Sequence, residues 1–288
     1  MRLCTSRGAA RRGIIIKSGI SFFKLILLVG LLCLTGGGAA IAAPPPPAVI
    51  AEAAVVVDGS SGKTLFAKNA DKVMYPASTT KIMTCLVALE RGNLDSVVTV
   101  GWRAASTDES SLGLRAGDKL TLRELLMGMM VVSGNDAAEA VAEHVGGGSR
   151  SRFSQWMNEK AESLGMSQTH FSNPHGLPDP VNHFTTAADL AKLTLAARQE
   201  PEFRRIVATN ERNVTFLNRR PVFVRNTNRL LRTFPGADGV KTGYTDAAGE
   251  CLVASATRQG KSVVAVILNS DLRWEEAKYL LEYGFASL

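Results

Sequence analysis

Three short strings carry residues able to do acyl-transfer chemistry: Ser78-Thr79-Thr80-Lys81, Ser133-Gly134-Asn135 and Lys241-Thr242-Gly243. A serine hydroxyl attacks poorly until a base takes its proton. Lysine can be that base only if its pKa falls from about 10.4, which burial and a neighbouring cation both achieve. Ser78 and Lys81 are spaced i, i+3, so a helix puts them on one face, and Lys241 supplies the second cation. At a helix start the Ser78 N–H points outward as one half of an oxyanion hole, and the Tyr244 N–H is the natural other half. Ser133 is expected to relay a proton from Lys81 to a leaving nitrogen, with Asn135 holding a substrate amide. Lys241 and Thr242 offer an ammonium and a hydroxyl to a carboxylate. Gly243, without a side chain, lets a peptide lie close against an edge strand.

Each string alone is bland. Ser-x-x-Lys occurs at Ser21…Lys24, Ser60…Lys63 and Ser78…Lys81, where chance gives about one copy, and Ser and Asn are common helix caps. The surroundings separate the copies. Ser60…Lys63 lies in Gly59-Ser60-Ser61-Gly62-Lys63, a turn between the strand-like runs Ala53–Asp58 and Thr64–Ala67. Ser78 instead follows Pro76 and opens a helical run that lasts to Gly92. Helices are also expected at Leu122–Val132, Asp136–His144, Phe153–Leu164 and Ala187–Arg198, which puts Ser133-Gly134-Asn135 at a helix joint. After Phe203 the pattern turns to strands: Asn213–Leu217, Pro221–Arg225, Gly239–Gly243, Cys251–Thr257 and Ser262–Leu268. Trp274–Phe285 closes the chain as an amphipathic helix. Strands at both ends with helices between them predict an α+β fold. One antiparallel sheet is built from both chain ends and flanked by helices, three-layer α/β/α-like, with a mainly helical inserted subdomain.

The first 43 residues hold Arg2, Arg7, Arg11, Arg12, Lys17 and Lys24, no acid, then the apolar run Leu25–Leu34 and Ala40-Ile41-Ala42. This is the layout of a secretory signal peptide, because ten apolar residues fall short of the ~20 a spanning helix needs. Residues 44–50 open with four prolines as a stiff linker, and 51–288 form the expected catalytic domain. The formal charge of +7 is then mostly leader. Without those six cations the rest carries +1, so no nucleic-acid partner is expected. Export to the periplasm or another extracytoplasmic space follows, with no stable membrane anchor after cleavage. Cys85, in an apolar helical run, and Cys251, in a strand, are expected as buried free thiols.

The strings, their order and their neighbours resemble a known group. Tyr75-Pro76-Ala77 precedes Ser78, and the chain also holds Asn173-Pro174-His175-Gly176-Leu177 and Gly239-Val240-Lys241-Thr242-Gly243-Tyr244-Thr245. These resemble the serine penicillin-recognising DD-peptidases and class A β-lactamases, and within them the low-molecular-mass D-alanyl-D-alanine carboxypeptidases. The resemblance runs from about Ala51 to Leu288. It implies removal of the terminal D-Ala from peptidoglycan stem pentapeptides through an acyl-enzyme on Ser78. Lys81 would accept the proton, Ser133 and Asn135 would complete the centre, and Lys241, Thr242, Gly243 and Tyr244 would bind substrate. β-Lactam antibiotics would acylate Ser78 as substrate mimics, and no cofactor is implied. Family members with a C-terminal β-rich domain and anchor run on past the catalytic domain, whereas this chain stops at Leu288. That shorter layout is also similar to the DD-endopeptidases, which cut cross-links between stem peptides.

Three other readings compete. A class A β-lactamase needs a glutamate to activate the deacylating water, and no Glu-x-x-Leu-Asn string lies between Asn135 and Lys241. A zinc peptidase would draw on His170, His175, Asp179 and His183, but no HExxH string exists and three prolines stiffen the stretch. A non-catalytic binding protein would trap penicillin yet release no D-alanine. Arg273 suits a substrate carboxylate and equally a helix flank, and is left outside the site.

Overall fold

The sheet follows from runs of small and branched residues. β1 (Ala53–Asp58) reads Ala-Ala-Val-Val-Val-Asp and is buried on both faces up to its last residue. It turns back into β2 (Thr64–Lys68). The computed structural model describes residues 45–107 and 109–288. The expected leader, with the Ser21…Lys24 copy, lies outside the described residues. A 3-10 turn at Ala77–Thr80 leads into α1 (Lys81–Arg91). The helical middle follows as β3 (Val97–Thr99), α2 (Trp102–Ala105), β4 (Lys119–Thr121), α3 (Leu122–Val131), α4 (Asn135–Val145), α5 (Arg150–Ser163), α6 (Ala187–Ala197) and α7 (Pro201–Val207). A ribbon of β5 (Glu211–Val214) and β6 (Val222–Arg225) and the short α8 (Leu230–Thr233) precede β7 (Ala237–Thr245), β8 (Gly249–Arg258), β9 (Lys261–Leu268) and α9 (Arg273–Ala286).

The main sheet has the order β2-β1-β9-β8-β7, antiparallel throughout. The N-terminal hairpin therefore joins the C-terminal meander through β1 and β9, with Ala53 opposite Leu268 and Asp58 opposite Val263. The two-residue period of a strand splits the side chains between two layers. Ala54, Val56, Leu252, Ala254, Ala265 and Ile267 meet Ala277, Leu280 and Leu281 of α9. Their neighbours Ala53, Val55, Val253, Val264 and Val266 meet the helical side, where Ile82, Leu86 and Leu190 lie. Each buried valine, leucine or isoleucine among them contributes roughly 1.5–3 kcal/mol. Gly284 lets α9 sit tight, since a Cβ there would come 2.4 Å from Val263 Cγ1.

The α+β fold, with one antiparallel sheet drawn from both chain ends, is the one the sequence predicts. Differences are local. α7 falls between Arg198 and Asn213, where no element was expected; its signal is Pro201 at the first helical turn, where the missing N–H costs nothing. β3 and β4 are only three residues each, too short to show a period. The strand expected through Leu217 stops at Val214, because Thr215 N–H is drawn to Glu124 Oε2 (2.9 Å) and Leu217 N–H to Lys119 O (2.7 Å). Cys85 and Cys251 are buried free thiols. Among the described residues, no helix is long and apolar enough to cross a membrane.

Candidate active site

Ser78 is the second residue of the 3-10 turn, and its N–H precedes the first bond of that turn, Thr79 N–H to Pro76 O at 3.2 Å. Lys81, the first residue of α1, is wholly buried. Its Nζ lies 2.9 Å from Ser78 Oγ, 2.7 Å from Asn135 Oδ1 and 2.8 Å from His175 O. Two of these oxygens can only accept. A neutral Lys81 amine therefore donates both protons to Asn135 and His175 and turns its lone pair to the Ser78 hydroxyl. Burial first, and then the nearby Lys241 cation, hold the Lys81 pKa well below its ordinary value, against the opposing pull of Asp136 and Glu109. The sequence asks for a general base, and burial beside a second lysine favours the free amine that this role needs.

The second lysine serves the second serine. Lys241 Nζ donates to Ser133 Oγ at 3.0 Å and to Thr242 O at 2.9 Å, and it is also buried. Burial, then the charge of Arg273, lowers its pKa to about 7. Ser133 reaches it from a left-handed backbone, φ +64°, a conformation that costs a non-glycine residue about 1–3 kcal/mol. The proton relay expected from Lys81 through Ser133 is thus arranged differently: each serine has its own lysine. Asn135 Oδ1 is likewise engaged by Lys81 rather than turned to a substrate amide.

A cleft of about 470 Å³ opens over these groups, lined by Ser78, Ser133, Thr242, Gly243, Tyr244 and Arg273 among others. Lys241 stands behind that lining. Thr242, whose hydroxyl lies 2.7 Å from that of Thr227, and Arg273 stand on the lining itself. Arg273 Nη1 donates to Gly243 O at 2.8 Å and its Nε lies 3.2 Å from Glu250 Oε2, so a residue set aside in the sequence is fixed at the cleft by the sheet edge. Tyr244 is exposed, its hydroxyl donating to Asp246 at 2.8 Å. Gly243 has a different reason for lacking a side chain: a Cβ there would lie 3.1–3.2 Å from Ala77 Cβ, Pro76 O and Ser78 N. The space beside the strand belongs to the turn that carries Ser78.

Two loops brace the centre. Buried Asp136 accepts the N–H groups of Leu112 (2.9 Å) and Leu114 (3.0 Å) and the Ser111 hydroxyl (2.6 Å), which pins the stretch next to the cleft-lining Ser110. Asn173 Oδ1 accepts the N–H of Gly176 (2.7 Å) and Leu177 N–H donates to His175 Nδ1 (3.1 Å), so the turn aims the His175 carbonyl at Lys81. His175 Nε2–H then donates to Glu139 Oε1 at 3.2 Å. His183 accepts Ser172 N–H at Nδ1 (3.1 Å) and donates from Nε2 to Thr80 Oγ1 (2.8 Å). Burial pushes its pKa to about 3. The histidines weighed as zinc ligands are loop braces, and no group of three metal-ligating residues gathers among the described residues.

Gly176 is the tightest point of this bracing. Its φ is +95°, and a Cβ would fall 1.8 Å from Ala77 O, beside the Ser78 amide. Gly176→Ala is therefore expected to lower stability by about 3 kcal/mol or more and to slow penicillin acylation at least tenfold. Thermal melting and labelling rates check this; a variant with wild-type values of both would show that the turn tolerates the shift.

The chain matches the D-alanyl-D-alanine carboxypeptidase model of the S11 peptidases over residues 39–272. It is 35% identical over 238 residues to the D-alanyl-D-alanine carboxypeptidase DacF of Bacillus subtilis, covering 80% of this chain and 61% of that one. A D-alanyl-D-alanine endopeptidase of Pseudomonas aeruginosa is 34% identical over 219 residues, covering 74% and 69%. The crystal structure of the Streptomyces K15 DD-transpeptidase superposes with a TM-score of 0.81 at 36% identity, covering 84% of this chain and all of that one. With the Ser78 turn, the two buried lysines and the edge strand in this arrangement, the chain belongs to the D-alanyl-D-alanine carboxypeptidase family of serine peptidases.

Proposed function

We propose that this protein removes the terminal D-alanine from peptidoglycan stem pentapeptides, in the cell envelope after export, and that residues 51–288 are its catalytic domain. The observation that carries the reading is the Ser78 hydroxyl held 2.9 Å from the buried Lys81 amine, whose pKa burial holds well below its ordinary value, at the floor of a cleft whose wall offers Thr242 and Arg273. Lys81 takes the Ser78 proton as Oγ attacks the carbonyl of the penultimate D-alanine. The oxyanion forms between the N–H groups of Ser78 and Tyr244. The C–N bond then breaks, and the leaving amine takes a proton from Ser133 Oγ, which Lys241 at 3.0 Å replenishes. Water releases the shortened peptide by the same steps in reverse. Thr242 and Arg273 hold the terminal carboxylate, and the Lys241 cation supports it from behind. β-Lactams enter as mimics and acylate Ser78.

The test is a separation of products from pentapeptide monomers and from cross-linked dimers. Free D-alanine from the monomers is the expected result. Monomers appearing from dimers, with no D-alanine from pentapeptide, would replace this reading with an endopeptidase. A penicillin adduct with neither product would mark a binding protein without turnover.

A further inference from the structure

The cleft holds more positive charge than one terminal carboxylate requires. Three arginines line it: Arg229, Arg232 and Arg273. Arg273 has Glu250 as counter-ion at 3.2 Å. Arg229 and Arg232 have no carboxylate partner among the described residues; the polar contacts of the Arg232 side chain are neutral, Asn210 Oδ1 at 2.7 Å and Asn226 O at 3.4 Å. Glu109, on the cleft lining, is the only carboxylate there among the described residues.

Both side chains stand on a rigid base. Asn226 Nδ2 donates to Thr209 O, Asn226 Oδ1 accepts Asn228 N–H at 2.8 Å, and Asn228 Nδ2 donates to Gly239 O at 2.8 Å. Leu230, wholly buried, anchors α8 between the two arginines. Arg229 and Arg273 flank one indole, their guanidinium carbons 5.6 and 5.0 Å from the Trp274 ring centroid. Contacts run from Gly243 through Arg273 and Trp274 to Arg229, and Thr242 bonds Thr227, two residues before Arg229 in the chain. Thr242 and Arg273 are the groups assigned to the carboxylate of the departing residue. Anything that extends past them belongs to the leaving group.

We infer that Arg229 and Arg232 form a second anion subsite, on the leaving-group side of the cleft, for an additional carboxylate carried by the departing amine component. This deepens the DD-peptidase reading and rests on it. The bond changes are unaltered: Ser78 Oγ–C forms, C–N breaks and the leaving amine gains a proton. The difference is that the amine belongs to an acid-bearing peptide, as in a cross-link between stem peptides, and not only to free alanine. Paired guanidinium groups suit such a carboxylate because each presents a planar fork of donors.

The test compares two peptides of one shape, an N-acylated chain ending in D-Ala-D-Glu and its D-Ala-D-Gln counterpart. Wild-type protein is expected to favour the glutamate peptide by about tenfold in kcat/KM, about 1.4 kcal/mol. In the double variant Arg229→Gln/Arg232→Gln that ratio falls toward one. A wild-type ratio of one or less, or a preference that survives the double substitution, overturns the subsite. Turnover of D-Ala-D-Ala with no turnover of either test peptide overturns it too. If D-Ala-D-Ala is not cleaved and penicillin forms no adduct, the DD-peptidase reading itself has failed. Should the double variant not label with penicillin, the wild-type ratio at low and at 1 M salt decides. Screening shortens from about 30 Å to 3 Å over that range of ionic strength, so a preference indifferent to salt contradicts the proposal.

Discussion

Ser78→Ala is expected to abolish covalent labelling by penicillin and to cut D-alanine release by 10⁴-fold or more. Among the described residues that line the cleft, this hydroxyl is the group bonded to the Lys81 amine, and nucleophiles that act as a unit with their base lose nearly all catalysis when removed. The fold should survive. Lys81 keeps Asn135 Oδ1 and His175 O as acceptors at 2.7 and 2.8 Å, and alanine fits a turn that already accommodates Ala77. One lost neutral hydrogen bond amounts to about 0.5–1.5 kcal/mol, so the melting temperature should move by only a few degrees. Intact mass before and after incubation with penicillin reads the result directly. An adduct that persists in Ser78→Ala would place the nucleophile elsewhere, and Ser133, held by Lys241 at 3.0 Å, is the residue to replace next.

What the sequence discloses of this site depends on how local each contact is. Ser78 and Lys81 are three residues apart, so the helical period alone brings them together. The Ser60…Lys63 copy is excluded as readily, because its serine lies in an exposed hairpin turn where Asp58 takes Ser60 N–H at 2.9 Å. The contact between Lys241 and Ser133 spans 108 positions, and no periodicity links them. It exists because β7 ends the sheet beside the turn that carries Ser78 and because Ser133 adopts a left-handed backbone. Gly243 shows the same limit: the string announces a need for space, but only packing reveals that Pro76–Ser78 fills it. Arg273 reads as an ordinary helix flank until α9 packs on the sheet and brings it to Gly243 O. The sheet was legible because fully covered strands are continuous apolar runs. The three-residue strands β3 and β4 escaped because pairing, and not pattern, sustains them.

Lys81→Met should slow penicillin acylation by about 10³-fold or more, within the roughly 10²–10⁴ that a positioned base contributes and the loss of orientation beyond it. Methionine matches the buried stem, but Asn135 Oδ1 and His175 O lose their donor, at about 1–3 kcal/mol each. Removal of an amine from a site that disfavours its charge partly offsets that cost. The pH profile separates the base from a mere spacer. In wild-type protein the rate should rise with pH as Lys81 loses its proton, on a limb far below the ordinary lysine range, because burial and the Lys241 cation depress it. It should fall again through pH about 7, where Lys241 becomes neutral and its charge beside Ser133 and the carboxylate site is lost. Lys241→Met then has a two-part signature. The falling limb near pH 7 disappears, and the rising limb moves to higher pH, because the second-largest cause of Lys81 depression is gone. The rising limb stays below the ordinary range, since burial is the larger cause and remains. A rising limb that shifts to lower pH in Lys241→Met, or one that persists unchanged in Lys81→Met, would mean that another group takes the proton from Ser78.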